Sequence, residues 1–244
     1  MDEGDRSRGT GRRVRPLVRG QAQVRAKVRD AELTRGRILD AAMAEFAQHG
    51  PQGARVDRIA REAGVNVRML YHYFGEKEGL YLAVLEAAYL RIRSLEEALA
   101  RSGDEPVLAM TRLVDLTFDF LVTDPYFARL IMHENLTRGA VIRKSEFVTR
   151  STQPLVAFLK RVLSDGQAQG CFRAGVGAQD LYIAILALCF VHVTNRYTLS
   201  SMFAEDLSDA EWLARRKCLV RSMILTWCTA APTDLTGAAE RPLR

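Results

Sequence analysis

Arg68, Met69, Tyr71, His72 and Tyr73 crowd one short stretch, AGVNVRMLYHYFGEKEGL at residues 63–80. A guanidinium can donate to guanine O6 and N7, a histidine can donate to a base edge or a phosphate, and methionine or valine can touch a thymine methyl. Tyrosine hydroxyls and a nearby lysine can hold phosphate oxygens, which fixes register without reading sequence. The chemistry on offer is recognition of double-stranded DNA. Catalytic patterns are lacking: the chain has no GxSxG, phosphate loop, Rossmann glycine pattern or HExxH. Its four histidines, His49, His72, His133 and His192, lie far apart in sequence. No enzyme activity, cofactor or metal is expected.

Such contacts need a helix that turns these side chains outward. Successive helical residues point about 100° apart. With Val67 at the origin, Leu70 and Phe74 fall beside it and form a core stripe. Arg68 and His72 face the opposite way, with Met69 near them, and Tyr71 and Tyr73 sit on the two flanks. Val56, Ile59, Ala60 and Ala63 form the apolar stripe of a preceding short helix. The spacing therefore predicts helices at 56–63 and 67–74 joined by a turn at 64–66, a helix-turn-helix whose second helix can enter a major groove. Asn66 can cap the second helix, and Gly75 can end it in a left-handed conformation.

Charge follows the same division. Residues 1–75 hold 15 Lys/Arg against 9 Asp/Glu, and the remainder holds 20 of each, so the net +6 lies wholly in the first third. This asymmetry fits a polyanion-binding module joined to a neutral one. Residues 1–30, rich in Arg and Gly, read as a disordered basic arm. From about Ala31, Ile38, Leu39, Ala42, Met43 and Phe46 recur at helical spacing up to Gly50-Pro51. A long helix is expected from Lys77 to Arg101, then amphipathic segments near 105–122, 126–137, 140–168, 178–198 and 209–230. Alternating strand patterns and fixed-period repeats are missing. The expected protein is all-α, with about nine helices, as a small N-terminal bundle at 31–77 and a larger helical module at 78–244.

The longest apolar run, Leu181 to Val191, is 11 residues, well under the roughly 18–20 that a membrane span needs. The N-terminus has no apolar signal-peptide core, so a cytoplasmic protein with no membrane partner is expected. Of the four cysteines, Cys189, Cys218 and Cys228 fall in apolar helical patterns and read as packed thiols. Cys171, in the loop-like GCFRAG, is the one candidate for redox sensing.

The stretch TRGRILDAAMAEFAQHGPQGARVDRIAREAGVNVRMLYHYFGEKEGLYLAVL, residues 34–85, resembles the DNA-binding domain of the TetR family of bacterial transcriptional regulators. Ile38, Ala41-Ala42, Phe46, Gly50, Ile59-Ala60, Ala63-Gly64-Val65, Leu70-Tyr71, Tyr73-Phe74, Lys77 and Leu80 carry the likeness. The resemblance implies an N-terminal DNA-binding domain and a helical C-terminal domain that binds a small molecule. It also implies a homodimer paired through the last two long helices and release from a pseudo-palindromic operator on ligand binding. It places base reading on Val67, Arg68, Met69 and His72, and phosphate contact on Tyr71, Tyr73 and Lys77. Three positions depart from the family pattern. Asn66 replaces a common Ser, Arg55 replaces a Ser or Thr cap and could instead reach a phosphate, and Glu76 replaces a Ser.

The second module says less. Polar residues set among apolar ones mark candidate ligand contacts: Phe127, Met132, His133 and Asn135 in one segment, His192 in another, with Phe118 as a wall. A helix-end role for His133 and interface packing for His192 are the competing readings. The effector is not named by the sequence. The alternative function is an architectural DNA-binding protein that takes no ligand.

Overall fold

The structure is a computed structural model that describes residues 17–229, with side chains from residue 27 onward. These residues form ten α-helices and a 3-10 turn, and no strand occurs among them. The first, α1 (Leu17–Gly53), is broken at Gly50, whose φ of 67° and ψ of 173° lie outside the helical range. That region is open essentially to glycine alone. A Cβ there would also lie 2.8 Å from His133 Nδ1. The break is thus imposed by backbone and neighbour together, and the expected stop at Gly50-Pro51 is found.

Next come α2 (Val56–Glu62), α3 (Val67–Phe74) and α4 (Lys77–Ala100). Ile38, Ala42, Met43 and Phe46 of α1 pack on Ile59 of α2, Leu70 of α3 and Leu80, Tyr81 and Val84 of α4. The Phe46 and Tyr81 rings stand 4.9 Å apart. This is the expected N-terminal bundle.

The remaining elements are α5 (Pro106–Thr123), α6 (Phe127–Leu136), a 3-10 turn (Ile142–Lys144), α7 (Glu146–Ala168), α8 (Ala178–Thr194), α9 (Arg196–Phe203) and α10 (Ala210–Thr229). α4 enters this second bundle too. Its far half, with Ala88 and Ile92, shares one continuous apolar cluster with Leu113 of α5, Leu159 of α7 and Ile185 of α8. The two bundles therefore meet along a common helix.

Four expectations need correction. Residues 17–30, expected as part of a disordered arm, lie within α1. VRGQAQVRAKVRDAE is rich in good helix formers and lacks proline. The side chains from Lys27 to Asp30 are exposed, so this part extends the helix without adding to the core. Residues 1–16 lie outside the described residues.

The segment expected at 140–168 starts as a helix only at Glu146. The buried Glu134 carboxylate accepts the Val141 and Ile142 N–H groups at 2.8 and 2.9 Å, holding a turn there. Ser145 then caps α7, accepting the Val148 N–H. The segment expected at 178–198 breaks at Asn195, and α9 leaves α8 at 73°. Gly75 ends α3 with a positive φ of 68°, but its ψ of −115° is not that of a left-handed cap.

No single helix among the described residues is long and apolar enough to cross a membrane; α8 and α9 reach the composition only as a bent pair.

Candidate nucleic-acid interface and ligand cavity

Asn66 starts α3 as its residue type predicts. Its Oδ1 accepts the Met69 N–H at 2.8 Å, satisfying one of the amides a helix start leaves without a partner. Leu70 is fully buried and anchors the helix, while Arg68, Tyr71 and His72 are exposed. These three form one outward face. Val67 and Met69 are half-buried, so they offer methyl groups at the edges of that face.

The tyrosines differ. Tyr71 is exposed, whereas Tyr73 packs partly on the core. The His72 ring stands 5.5 Å from Tyr73 in an edge-on contact, and Phe74 lies 6.3 Å beyond. Phe74 is half-buried, with the Arg35 guanidinium 5.1 Å above its ring. The aromatic run thus packs beside His72, and of the two tyrosines expected on the flanks Tyr71 is the more exposed and Tyr73 the more buried.

The Arg55 side chain is exposed, and α2 starts with no side-chain cap. Its guanidinium lies 3.7 Å from Asp57, so the phosphate reach expected of it competes with a weak local ion pair. Glu45 of α1 accepts the Arg55 backbone N–H at 2.7 Å and grips Arg58 through Nε at 2.9 Å and Nη2 at 2.6 Å. Burial would raise the Glu45 carboxyl pKa, but the Arg58 and Arg55 hydrogen bonds outweigh it and hold it below the usual range. Arg58 is therefore a clamp between α1 and α2. Lys77 donates from Nζ to the Gln52 carbonyl at 3.3 Å, which ties the start of α4 to the end of α1. No hydrogen bond or ion pair holds the Arg68 side chain among the described residues.

A cavity of about 470 Å³ opens in the second bundle between α4, α6, α7 and α8. Of the six residues expected at a ligand site, only Phe127 lines it. Phe118 is buried elsewhere, stacked on His192 with ring centroids 4.8 Å apart. Trp212 lies 5.7 Å from the same imidazole, and neither ring nitrogen has a hydrogen-bond partner among the described residues. Burial, and then the nearby Arg216 charge, push His192 down to about 4; the Leu188 carbonyl opposes this weakly. His192 is thus a neutral core residue at neutral pH. His133 sits against Gly50 at the junction of α6 and α1. Met132 and Asn135 are exposed, and Asn135 spends its amide on the Ile131 carbonyl.

The polar corner of the cavity was not foreseen. Arg93 and Glu96 of α4 are 6% and 2% exposed, and they bond each other and Tyr182 of α8. Burial alone would lower the Arg93 pKa, but the Tyr182 and Glu96 oxygens outweigh it and raise it. Burial pushes Glu96 up, against the pull of Arg93 and Tyr182. The sequence held a sign of this group. Glu96 occupies a position in the stripe of Leu85, Ala88, Ile92 and Leu99 where an apolar residue is due.

Among the described residues no group of His, Cys, Asp and Glu could hold a metal ion. Cys189 and Cys228 are buried, and burial pushes their thiols up to about 12 and about 11. Cys218 is exposed on α10 and is not the packed thiol expected; Cys171 is half-buried.

Two family models match the chain. The one described as "Bacterial regulatory proteins, tetR family" covers residues 38–84, and "Tetracyclin repressor-like, C-terminal domain" covers residues 106–224. The HTH-type transcriptional repressor NicS of Pseudomonas putida is 36% identical over 191 residues, spanning 77% of this chain and 90% of its own. The HTH-type transcriptional repressor SCO4008 of Streptomyces coelicolor is 33% identical over 66% of this chain and 78% of its own. The crystal structure of SCO4942, also from Streptomyces coelicolor, superposes with a TM-score of 0.59 at 25% identity, over 78% of this chain and 96% of its own. Similarity that runs through both bundles and most of a relative's length leaves one conclusion: the chain belongs to the TetR family of bacterial regulatory proteins and is a DNA-binding regulator of transcription.

Proposed function

We propose that the chain is a cytoplasmic, homodimeric repressor whose α3 helices read a pseudo-palindromic operator and which lets go when a small molecule fills the α4–α8 cavity. The observation that carries this reading is the single outward face of Arg68, Tyr71 and His72 on a capped helix whose Leu70 is wholly buried. Residues 31–77 hold the DNA and residues 78–244 bind ligand and partner. The names of NicS and SCO4008, both transcriptional repressors, support repression over activation.

Pairing is assigned to α8 and α10. Val191, Leu219, Met223 and Trp227 on these helices are large apolar side chains left exposed, which suits an isologous interface with a second copy. Two α3 helices would then reach half-sites about one helical turn, ~34–36 Å, apart or a multiple of it. Ligand would favour a pair spacing that no longer fits adjacent grooves.

A gel shift on the DNA upstream of the protein's own gene, repeated with a panel of small molecules, tests this. Retention in excess random DNA, lost with one compound, is expected. Equal affinity for random and upstream DNA would overturn sequence-specific repression and favour the architectural alternative. Specific binding that no compound relieves would overturn the ligand control.

A further inference from the structure

Among the described residues that line the α4–α8 cavity, only Ile183 and Ala187 are exposed. They stand one turn apart on α8, so the cavity opens onto the outer face of that helix. Ile183 is 62% exposed although it is a large apolar side chain.

The polar side chains of the lining are Tyr89, Arg93, Thr152 and Tyr182. Arg93 and Tyr182 are buried, and both bond Glu96. Thr152 is half-buried and donates its hydroxyl to the Val148 carbonyl of its own helix at 2.9 Å. Tyr89 is half-buried, with its ring edge-on to Phe127 at 5.5 Å. The α8 residues around the opening, Ile183, Ala187 and Phe190, are all apolar. A contiguous apolar patch left on a surface marks a place that something covers.

Continuity with the neighbouring helix says what covers it. Ile183, Ala187 and Val191 recur every fourth residue and form one exposed stripe along α8. Leu219, Met223 and Trp227 recur in the same way along α10 and are exposed too. The two helices lie side by side, and Arg216 of α10 donates from Nη2 to the Leu188 carbonyl of α8 at 3.1 Å. The stripe that holds the cavity mouth therefore runs into the apolar face to which pairing is assigned. An isologous contact sets the same patch of a second copy against it.

We propose that a second copy of the chain completes the cavity. Pairing lays the partner across Ile183 and Ala187 and gives each effector site its outer wall. This rests on the reading of α8 and α10 as the pairing helices. A molecule in the cavity then touches both copies, and occupancy and pairing change each other's equilibrium constant by the same factor.

The test uses the full-length protein with Thr152→Cys as a reporter inside the cavity. Iodoacetamide labelling at residue 152 is followed by peptide mass spectrometry, which separates it from Cys171 and Cys218. Labelling in the pair is expected to be about ten-fold slower than in the monomer made by adding Leu219→Glu, since a covered thiol is screened from reagent and kept protonated. Leu219 does not line the cavity, so the wall supplied by one chain is the same in both. Equal rates in pair and monomer overturn the proposal, whether the mouth is open in both or closed in both by the chain itself. A second variant, Ile183→Glu, needs no reporter. Ile183 is exposed, so a charge there spares the protomer core. A monomer by light scattering, with native helicity by circular dichroism, is expected. If Ile183→Glu still pairs while Leu219→Glu does not, the pairing helices stand and the closure of the cavity is refuted. If both variants still pair, the interface lies elsewhere, and the pairing reading falls together with the proposal.

Discussion

Arg68 and His192 are both nitrogen-bearing side chains on helices, and burial gives them opposite tasks. Arg68 is exposed with no bond or ion pair to another described residue, so its donors are ready for a partner. Arg68→Ala should cost about 1–3 kcal/mol on the operator and relax preference at one base position. Dissociation constants on operator and random duplexes check this, and equal losses on both would make Arg68 a phosphate contact. His192 is sealed among Phe118, Trp212 and Arg216. Its folded pKa of about 4 lies below the ordinary 6.5, so on acidification the unfolded chain takes the proton first. Stability from this group is therefore unaffected above about pH 6.5 and falls by up to about 1.4 kcal/mol per pH unit between there and pH 4. His192→Phe should flatten that slope, as read from denaturant midpoints at pH 7.5 and pH 5. Identical slopes in the two proteins would show that His192 is protonated in the fold. The sequence could place Arg68 because a helical wheel over eight residues is a local matter. It could not place His192, since a histidine on an apolar face looks the same whether it meets a ligand or Phe118.

At the level of elements, the same distinction between local and distant causes holds. α2 and α3 begin and end within a residue of their expected bounds because Asn66, Gly64 and Gly75 act on their own neighbours. The late start of α7 is not legible in the sequence because Glu134, from another helix, holds the Val141 and Ile142 amides. The cavity's polar corner is hidden for a like reason, with Tyr182 lying 86 residues from Glu96. The kink at Gly50 was legible as a stop but not as a joint with α6. Gly50→Ala should destabilise the protein by about 1–3 kcal/mol from the backbone conformation alone, with more from the 2.8 Å approach to His133. Adding His133→Ala should recover the steric part and leave the backbone part, as measured by urea unfolding. Full recovery would mean that the φ of 67° carries no cost.

For the whole molecule, pairing is the property a single chain can only imply. Leu219 is 51% exposed on α10, so a charge placed there spares the protomer core. Leu219→Glu should yield a folded monomer by light scattering, with operator affinity reduced to that of a single half-site contact; an unchanged dimer would move the interface off α10. The family's division into two domains was legible from charge and resemblance, but the way they are joined was not. α4 places Leu80, Tyr81 and Val84 with Phe46 and Leu70, and Ala88 and Ile92 with Leu113 and Leu159, in one continuous apolar cluster. A chimaera that grafts this reading head onto another regulator's sensor would therefore fail if spliced at residue 77, where the helix-turn-helix ends. The graft would lose the Leu80–Val84 face that Phe46 and Leu70 are shaped to meet. A seam within α4, between Val84 and Ala88, keeps that face, but the graft must also bring a partner for Gly50 of α1, which packs on His133 of α6.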